Sequence, residues 1–319
     1  MDPSLVRIEG EKKMKSISKK FSLGLALILG LSACGSNNNQ TATNEAPAEE
    51  KAQTEVVEKA EETEDTENSE DPLADKDVIK IGVVGEKNEV WEDIIQRYEE
   101  GTGKKIELVK FSEYREPNEA LLAGDIDANA FQHKKFLEDF NESSGSDIVA
   151  VGDTLIAPLG IYSSKIENIE DLEDGARIAI PDDPTNGARS LFLLQTAGLI
   201  EVNGDEGDAI TVDDITSNPR NFEIIELAAS QTARSLDDVD IACVNSGIAV
   251  DAGLVPSQDA IYLEDPEDPD KQIYVNIVAT TQDKKDSATL KDLIDNYYHT
   301  DQTKKVVEET SKGSEFPVW

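Results

Sequence analysis

Residues 178–195, Ile-Ala-Ile-Pro-Asp-Asp-Pro-Thr-Asn-Gly-Ala-Arg-Ser-Leu-Phe-Leu-Leu-Gln, constrain the fold of this chain more than any other stretch. Ile178 and Ile180 suit a short buried strand, and Pro181 and Pro184 with two Asp between them end it. Thr185 or Asn186 can cap the helix that follows, whose apolar face starts at Leu191, Phe192 and Leu194. Free backbone N–H groups and the positive end of the helix dipole then face the strand's end, with Arg189 one turn in. Such a turn can seat a carboxylate or phosphate. Taken alone it equally fits an ordinary loop whose arginine is a surface charge.

The same strand–turn–helix grammar recurs. Ile79–Val84 reads as a strand, and Trp91, Ile94, Ile95 and Tyr98 recur behind it at helical spacing. Ile106–Phe111 is a second strand, Pro117–Gly124 a short helix with Pro near its start and Gly just past its end, and Asp125–Phe131 a third strand. Alternating units with short links imply a mainly parallel sheet flanked by helices, with ligands beyond the carboxyl ends of the strands. Phe111, Tyr114, Phe131 and His133 fall there. Residues 148–152 and 155–162 are extended, and the second run could cross into another lobe. A second α/β unit follows, with strands at 177–180, 222–227 and 241–245 and a helix at 232–236. Ile273–Thr280 returns to the first lobe, and helical stretches at 287–298 and 301–309 close the chain. The expected organisation is two lobes, 78–157 plus 263–319 and 158–262, with a cleft between them.

Ahead of Val78 the chain changes character. Lys12, Lys13, Lys15, Lys19 and Lys20 precede an apolar run, Phe21–Leu31, too short for the ~20 residues of a spanning helix. The run ends in Leu-Ser-Ala-Cys34-Gly, which resembles a bacterial lipobox. Residues 1–33 are therefore expected to be a leader and lipoprotein signal peptide, with Cys34 acylated and the protein held by lipid on the extracytoplasmic face of the cell membrane. From Glu45 to Asp77 fourteen acidic residues face three Lys with no aromatic, a composition that buries too little to fold; 34–77 is expected to be a disordered tether. The whole chain carries a net charge of -37, which excludes nucleic acid as a partner. Two cysteines in unlike contexts give no disulfide framework, and two His make a multi-histidine metal site improbable; neither metal nor cofactor is implied. Cys243, in an apolar strand, reads as an inert hydrophobe, and Glu264–Asp270 as a solvated acidic loop without calcium-ligand spacing.

Five segments, in order, carry a family resemblance: Phe111-Ser-Glu-Tyr114 with Pro117-Asn-Glu-Ala-Leu; Gly124-Asp-Ile-Asp-Ala-Asn-Ala-Phe-Gln-His133; Pro181-Asp-Asp-Pro-Thr-Asn-Gly-Ala-Arg-Ser; Asn218-Pro-Arg-Asn; and Ser235-Leu-Asp-Asp-Val-Asp-Ile-Ala-Cys-Val-Asn245. Together with the lipobox they resemble the NlpA-type methionine-binding lipoproteins, substrate-binding components of ABC importers. The resemblance implies a two-lobed periplasmic-binding-protein-like fold of type II that captures L-methionine and delivers it to an ABC permease. It implies that Arg189 grips the ligand carboxylate, that Asn186 and Asn245 contact the amino-acid backbone, and that Phe111, Tyr114, Phe131 and His133 wall the side-chain pocket. On sequence alone Phe111 and Phe131 fit a core as well as a pocket. Another amino acid or a methionine-containing dipeptide is the alternative ligand. An enzyme is disfavoured: no Gly-x-Ser-x-Gly elbow, Walker loop or metal-spaced cluster appears, and arginine and asparagine are poor general bases. Gly85-Glu-Lys-Asn-Glu-Val-Trp91, at a strand end facing the cleft, stands outside the resemblance.

Overall fold

The computed structural model describes residues 71–319; the leader, Cys34 and most of the acidic tether lie outside the described residues. The first α/β run comprises β1 (Val78–Val84), α1 (Glu89–Thr102), β2 (Lys105–Phe111), α2 (Glu116–Ala123), β3 (Ala128–Asn129) and α3 (Lys134–Ser144). Two strands, β4 (Val149–Ile156) and β5 (Gly160–Tyr162), then lead across to the second run. It holds β6 (Arg177–Pro181), α4 (Pro184–Thr196), a small hairpin β7 (Glu201–Val202) and β8 (Ile215–Ser217), then β9 (Glu223–Leu227) and α5 (Ala229–Thr232). β10 (Ile241–Val244), α6 (Ser246–Asp251), α7 (Pro256–Asp259) and β11 (Tyr262–Leu263) complete it. The chain returns through β12 (Val275–Thr280), α8 (Ala288–Asp292), a π-helical turn at Leu293–Tyr298, α9 (Asp301–Ser311) and β13 (Phe316–Pro317).

Two sheets result, ordered β13-β4-β12-β3-β1-β2 and β11-β5-β10-β6-β9. In each, the strands joined through helices pair in parallel: β1 with β2 and β3, β6 with β9 and β10. The strands that carry the chain between sheets pair antiparallel: β4 with β12 and β13, and β5 with β10 and β11. Both sheets are thus mixed, because a strand that enters from the other lobe has no helical crossover to set it parallel. The third strand, expected over 125–131, shrinks to two residues. A buried amide cluster takes over beyond it: Asn118 Nδ2 donates to Gln132 Oε1 at 2.8 Å, Asn129 Nδ2 to Asn118 Oδ1 at 2.8 Å, and Gln132 Nε2 to Asn129 Oδ1 at 2.9 Å.

The two sheets pack on separate apolar clusters. β6 and α4 anchor one, through Ile178, Ile180, Leu191, Phe192 and Leu194. Every residue of α4 from Thr185 to Leu194 is buried, so this is a helix covered all round rather than along one stripe. Its cap is Asp183, whose carboxylate accepts from Asn186 N–H; Thr185 and Asn186, expected as caps, lie in the first turn because Pro184 already fits the first helical position. The other cluster joins Ile79, Ile81, Trp91, Ile94 and Leu293.

Residues 71–77, expected to belong to the tether, are folded onto this second cluster. Leu73 is fully buried, Asp71 accepts from the Thr289 N–H and both the Ser287 and Thr289 hydroxyls, and Lys76 pairs with buried Asp127. The acidic composition hid this because one leucine and specific acceptors, not average polarity, hold the segment.

Leu194→Ala should destabilise the protein by about 2–5 kcal/mol in urea unfolding, whereas Leu122→Ala, at a residue 46 % exposed, should stay within about 0.5 kcal/mol of wild type.

Candidate functional site

A cavity of about 110 Å³ lies where the two sheets' loops meet, lined among others by Tyr114, Phe131, His133, Asn186, Arg189 and Asn245. These are six of the seven ligand residues expected from the sequence. Tyr114 and Phe131 stack at 6.1 Å between ring centroids, and Phe136 meets both edge-on at 6.0 Å. Phe111 stands apart. It ends β2 opposite Val84, its ring packs over Gly82, and it lines a neighbouring groove instead. A Cβ on Gly82 would come within 3.2 Å of that ring, so glycine is what lets Phe111 fold down against the sheet.

His133 is both the N-cap of α3 and a wall of the cavity. Its Nδ1 accepts from Phe136 N–H at 3.0 Å, which puts the ring proton on Nε2, and Nε2 lies 3.3 Å from Asn186 Oδ1. Burial and the Arg189 charge hold the imidazole neutral, pushing its pKa down to about 3. The Asn186 Oδ1 is saturated: it also accepts from Asn245 Nδ2 at 2.7 Å, while the Asn186 Nδ2 donates to Asp183. Asn245 is not. Its Oδ1 is buried without a hydrogen-bond partner, as is the neighbouring Ser246 Oγ. Both residues line the cavity.

Arg189, 2 % exposed, is held on one edge. Its Nε donates to Glu264 Oε1 at 2.9 Å, its Nη2 pairs with Oε2 of the same carboxylate, and Nη2 also donates to Ala157 O at 3.1 Å. The guanidinium sits 4.1 Å from the Tyr274 ring centroid. Glu264 in turn accepts from Leu159 N–H at 2.8 Å and lies 3.6 Å from Lys271, which pairs with Glu206 at 2.6 Å. Burial works against the Glu264 charge, but Arg189, Lys271 and the Leu159 N–H outweigh it and hold the carboxyl below its usual range. Glu264 is therefore no part of a solvated acidic loop, as its sequence context suggests. It is 4 % exposed and reached by three donors. The Nη1 group of Arg189 makes no hydrogen bond among the described residues, so the fork keeps donors for a carboxylate in the cavity.

The Gly85–Trp91 segment lines the adjoining pockets and meets the cavity through Asp251. The Asp251 carboxylate, from α6, accepts from Glu86 N–H at 3.0 Å and Lys87 N–H at 3.2 Å, and Lys87 Nζ donates to Val250 O at 2.6 Å. Gly85 has φ +92°, and a Cβ there would fall 2.3 Å from Asp251 Oδ2, so any side chain would displace the carboxylate.

Taken as chemistry, the cavity offers guanidinium donors, neutral carbonyl acceptors and aromatic faces. A family model described as NlpA lipoprotein matches residues 79–319. The chain belongs to the NlpA lipoprotein family. The D-methionine-binding lipoprotein MetQ of Escherichia coli (strain K12) is 42% identical over 248 residues, 77% of this chain and 90% of that protein. Among solved structures, a nutrient binding protein from Burkholderia cenocepacia bound to methionine is 39% identical with a TM-score of 0.71, over 76% of this chain and 100% of that one. The substrate binding protein of a methionine transporter from Streptococcus pneumoniae is also 39% identical, with a TM-score of 0.71, over 76% and 96%.

Several lining groups of this NlpA-family cavity had no signal in the sequence. Asn276 reaches it from β12, where it bridges His133, and Glu315 from the chain's last turn. Asn276 becomes visible only once β12 is placed, and Glu315 only once β13 pairs with β4. Cys243 is fully buried in β10, and burial pushes its thiol up to about 12, away from any nucleophilic role. Among the described residues no group of His, Cys, Asp and Glu is placed to hold a metal ion, and no helix is long and apolar enough to cross a membrane.

Because His133 is held neutral, its ring carbon NMR signals should stay fixed between about pH 5 and 8, where an ordinary histidine titrates. Glu264→Ala should cost about 3–5 kcal/mol in urea unfolding, since it strands the Arg189 charge in a buried site.

Proposed function

We propose that this protein is the substrate-binding component of an ABC importer, closing on free methionine between two lobes and handing it to a membrane permease. The observation that carries the reading is the pairing, within one small cavity, of unengaged guanidinium donors on Arg189 with the unpartnered Asn245 Oδ1. A zwitterion needs both: donors for its carboxylate and an acceptor for its ammonium. Tyr114, Phe131 and Phe136 offer ring faces and edges to a thioether, each contact worth about 0.3–1.5 kcal/mol. The methionine named for the Burkholderia and Streptococcus proteins supports the ligand, and the name of the Escherichia coli relative places D-methionine beside the L form among the candidates. The lobes in this reading are 78–157 plus 263–319 and 158–262. Acylation at Cys34 would hold the protein to the extracytoplasmic face of the cell membrane, the acidic stretch giving it reach. Binding and release, with no chemical step, are all the function requires.

A methionine-containing dipeptide is the second reading, favoured by a further pocket of about 170 Å³ that shares Phe131, Asn276 and Glu315 with the first.

Native mass spectrometry on refolded, ligand-free protein should detect one bound L- or D-methionine, and calorimetry should show Arg189→Lys binding it at least about tenfold more weakly. Lysine keeps a cation beside Glu264 but loses the fork. Methionine binding unchanged in Arg189→Lys would rule out the carboxylate clamp.

A further inference from the structure

The methionine reading leaves one charged side chain of the cavity without a role. Glu315 lines the cavity together with His133, Arg189 and Asn276, and also lines the adjoining pocket that extends toward Trp91 and Tyr298. Its position is set by the backbone rather than by an ion pair. The chain leaves α9 through Lys312 at φ 53° and Gly313 at φ 78°, a reversal that a lysine adopts only under constraint. Ser314 Oγ then accepts from Ser257 N–H at 3.1 Å, and Phe316 pairs with Ile156 at the sheet edge. Between these two ties Glu315 is held at the cavity wall.

Its carboxylate has no cation or hydrogen-bond donor as a partner among the described residues. Burial raises its pKa and the like charge of Glu89 raises it further, to about 7. The other charges of the cavity are already answered. Arg189 is neutralised by Glu264, and Asp251 accepts from two backbone N–H groups. Glu315 is therefore the one acidic group of the cavity wall without a partner in the protein among the described residues. In this half-buried position the charged form of an unpartnered carboxyl is favoured only when something else supplies a cation.

We propose that Glu315 accepts an ammonium group of the bound ligand and makes the junction of the two pockets a cation-accepting subsite. The inference rests on the methionine reading above. Two ammonium groups fit the chemistry: the α-ammonium of the free amino acid, and the amino terminus of a methionine-containing dipeptide extending into the second pocket.

Calorimetry on the full-length protein, stripped of carried-over ligand by unfolding and refolding, separates these. The probes are L-methionine, glycyl-methionine and 2-hydroxy-4-(methylthio)butanoate, which keeps the carboxylate and thioether but has no ammonium. Glu315→Gln should weaken an ammonium-bearing probe by about tenfold or more and leave the hydroxy acid within about twofold. Loss on L-methionine assigns the α-ammonium, and loss confined to glycyl-methionine assigns the peptide terminus. Glu315→Val, which removes the polar group altogether, should follow the same pattern and guards against a misfolded first variant. Equal effects on all three probes, or none on any, would overturn the subsite while leaving the receptor intact, since the wild type would still bind methionine. A wild type that binds none of the three removes the methionine reading and the subsite with it.

Discussion

The buried pair between Arg189 and Glu264 is the contact on which the rest of the site depends. It lies at the crossing between the two sheets. Glu264 follows β11 on the returning chain and accepts from Leu159 N–H, while Arg189 donates to Ala157 O on the outgoing chain. One ion pair therefore ties both connecting segments to α4. Burying two charges is expensive, and the mutual attraction repays it only when the remaining donors and acceptors are also satisfied. Here Leu159, Ala157, Lys271 and the Tyr274 ring do that. The return is geometric: a guanidinium locked on one edge presents the other to the cavity with no rotamer freedom left to lose on binding.

The second lesson of the site is how hydrogen-bond saturation sorts its members. Asn186 sits at the centre, its Oδ1 reached by His133 and by Asn245 and its Nδ2 donating to Asp183, so that most of its capacity holds its neighbours in place. Asn245, fixed by that same bond through Nδ2, keeps a bare Oδ1. The division is what preorganisation looks like in a small cavity: one amide consumed by the protein so that the next is aimed.

Much of this was legible in the chain. The strand, the paired prolines and the apolar run of 178–195 specify β6 and α4, and six of the seven expected residues converge on one cavity, because turn residues and helical spacing are local properties. What was not legible is non-local. Glu264 sits in the most acidic loop of the folded part, and composition reads such a loop as solvated; only the arrival of Arg189, 75 positions earlier, makes it a core residue. Phe111 differs from Phe131 not in type or strand-end position but in what lies beneath it, the bare backbone of Gly82. The antiparallel half of each sheet follows from the two crossings, which no single segment encodes. Glu315 belongs to the same group, because its approach to the cavity is set by the edge pairing of β13 with β4.

The distribution of contact strength also fits the proposed closing of the site on a ligand. At the crossing, the pair and its partners are buried and would be costly to separate. At the mouth, the Asp251 carboxylate meets the Glu86 and Lys87 N–H groups, and Ser230 Oγ donates to Glu113, in contacts open to solvent. Exposed polar contacts of this kind contribute on the order of 0–1 kcal/mol each, because water competes for both partners. In the proposed receptor, an opening would break these exposed contacts and the 3.3 Å contact between His133 and Asn186, while the Arg189–Glu264 pair keeps the crossing tied. Under the proposed function, a ligand's differential affinity for the closed form would have to supply these contacts, and charge-assisted bonds to a zwitterion are of that size.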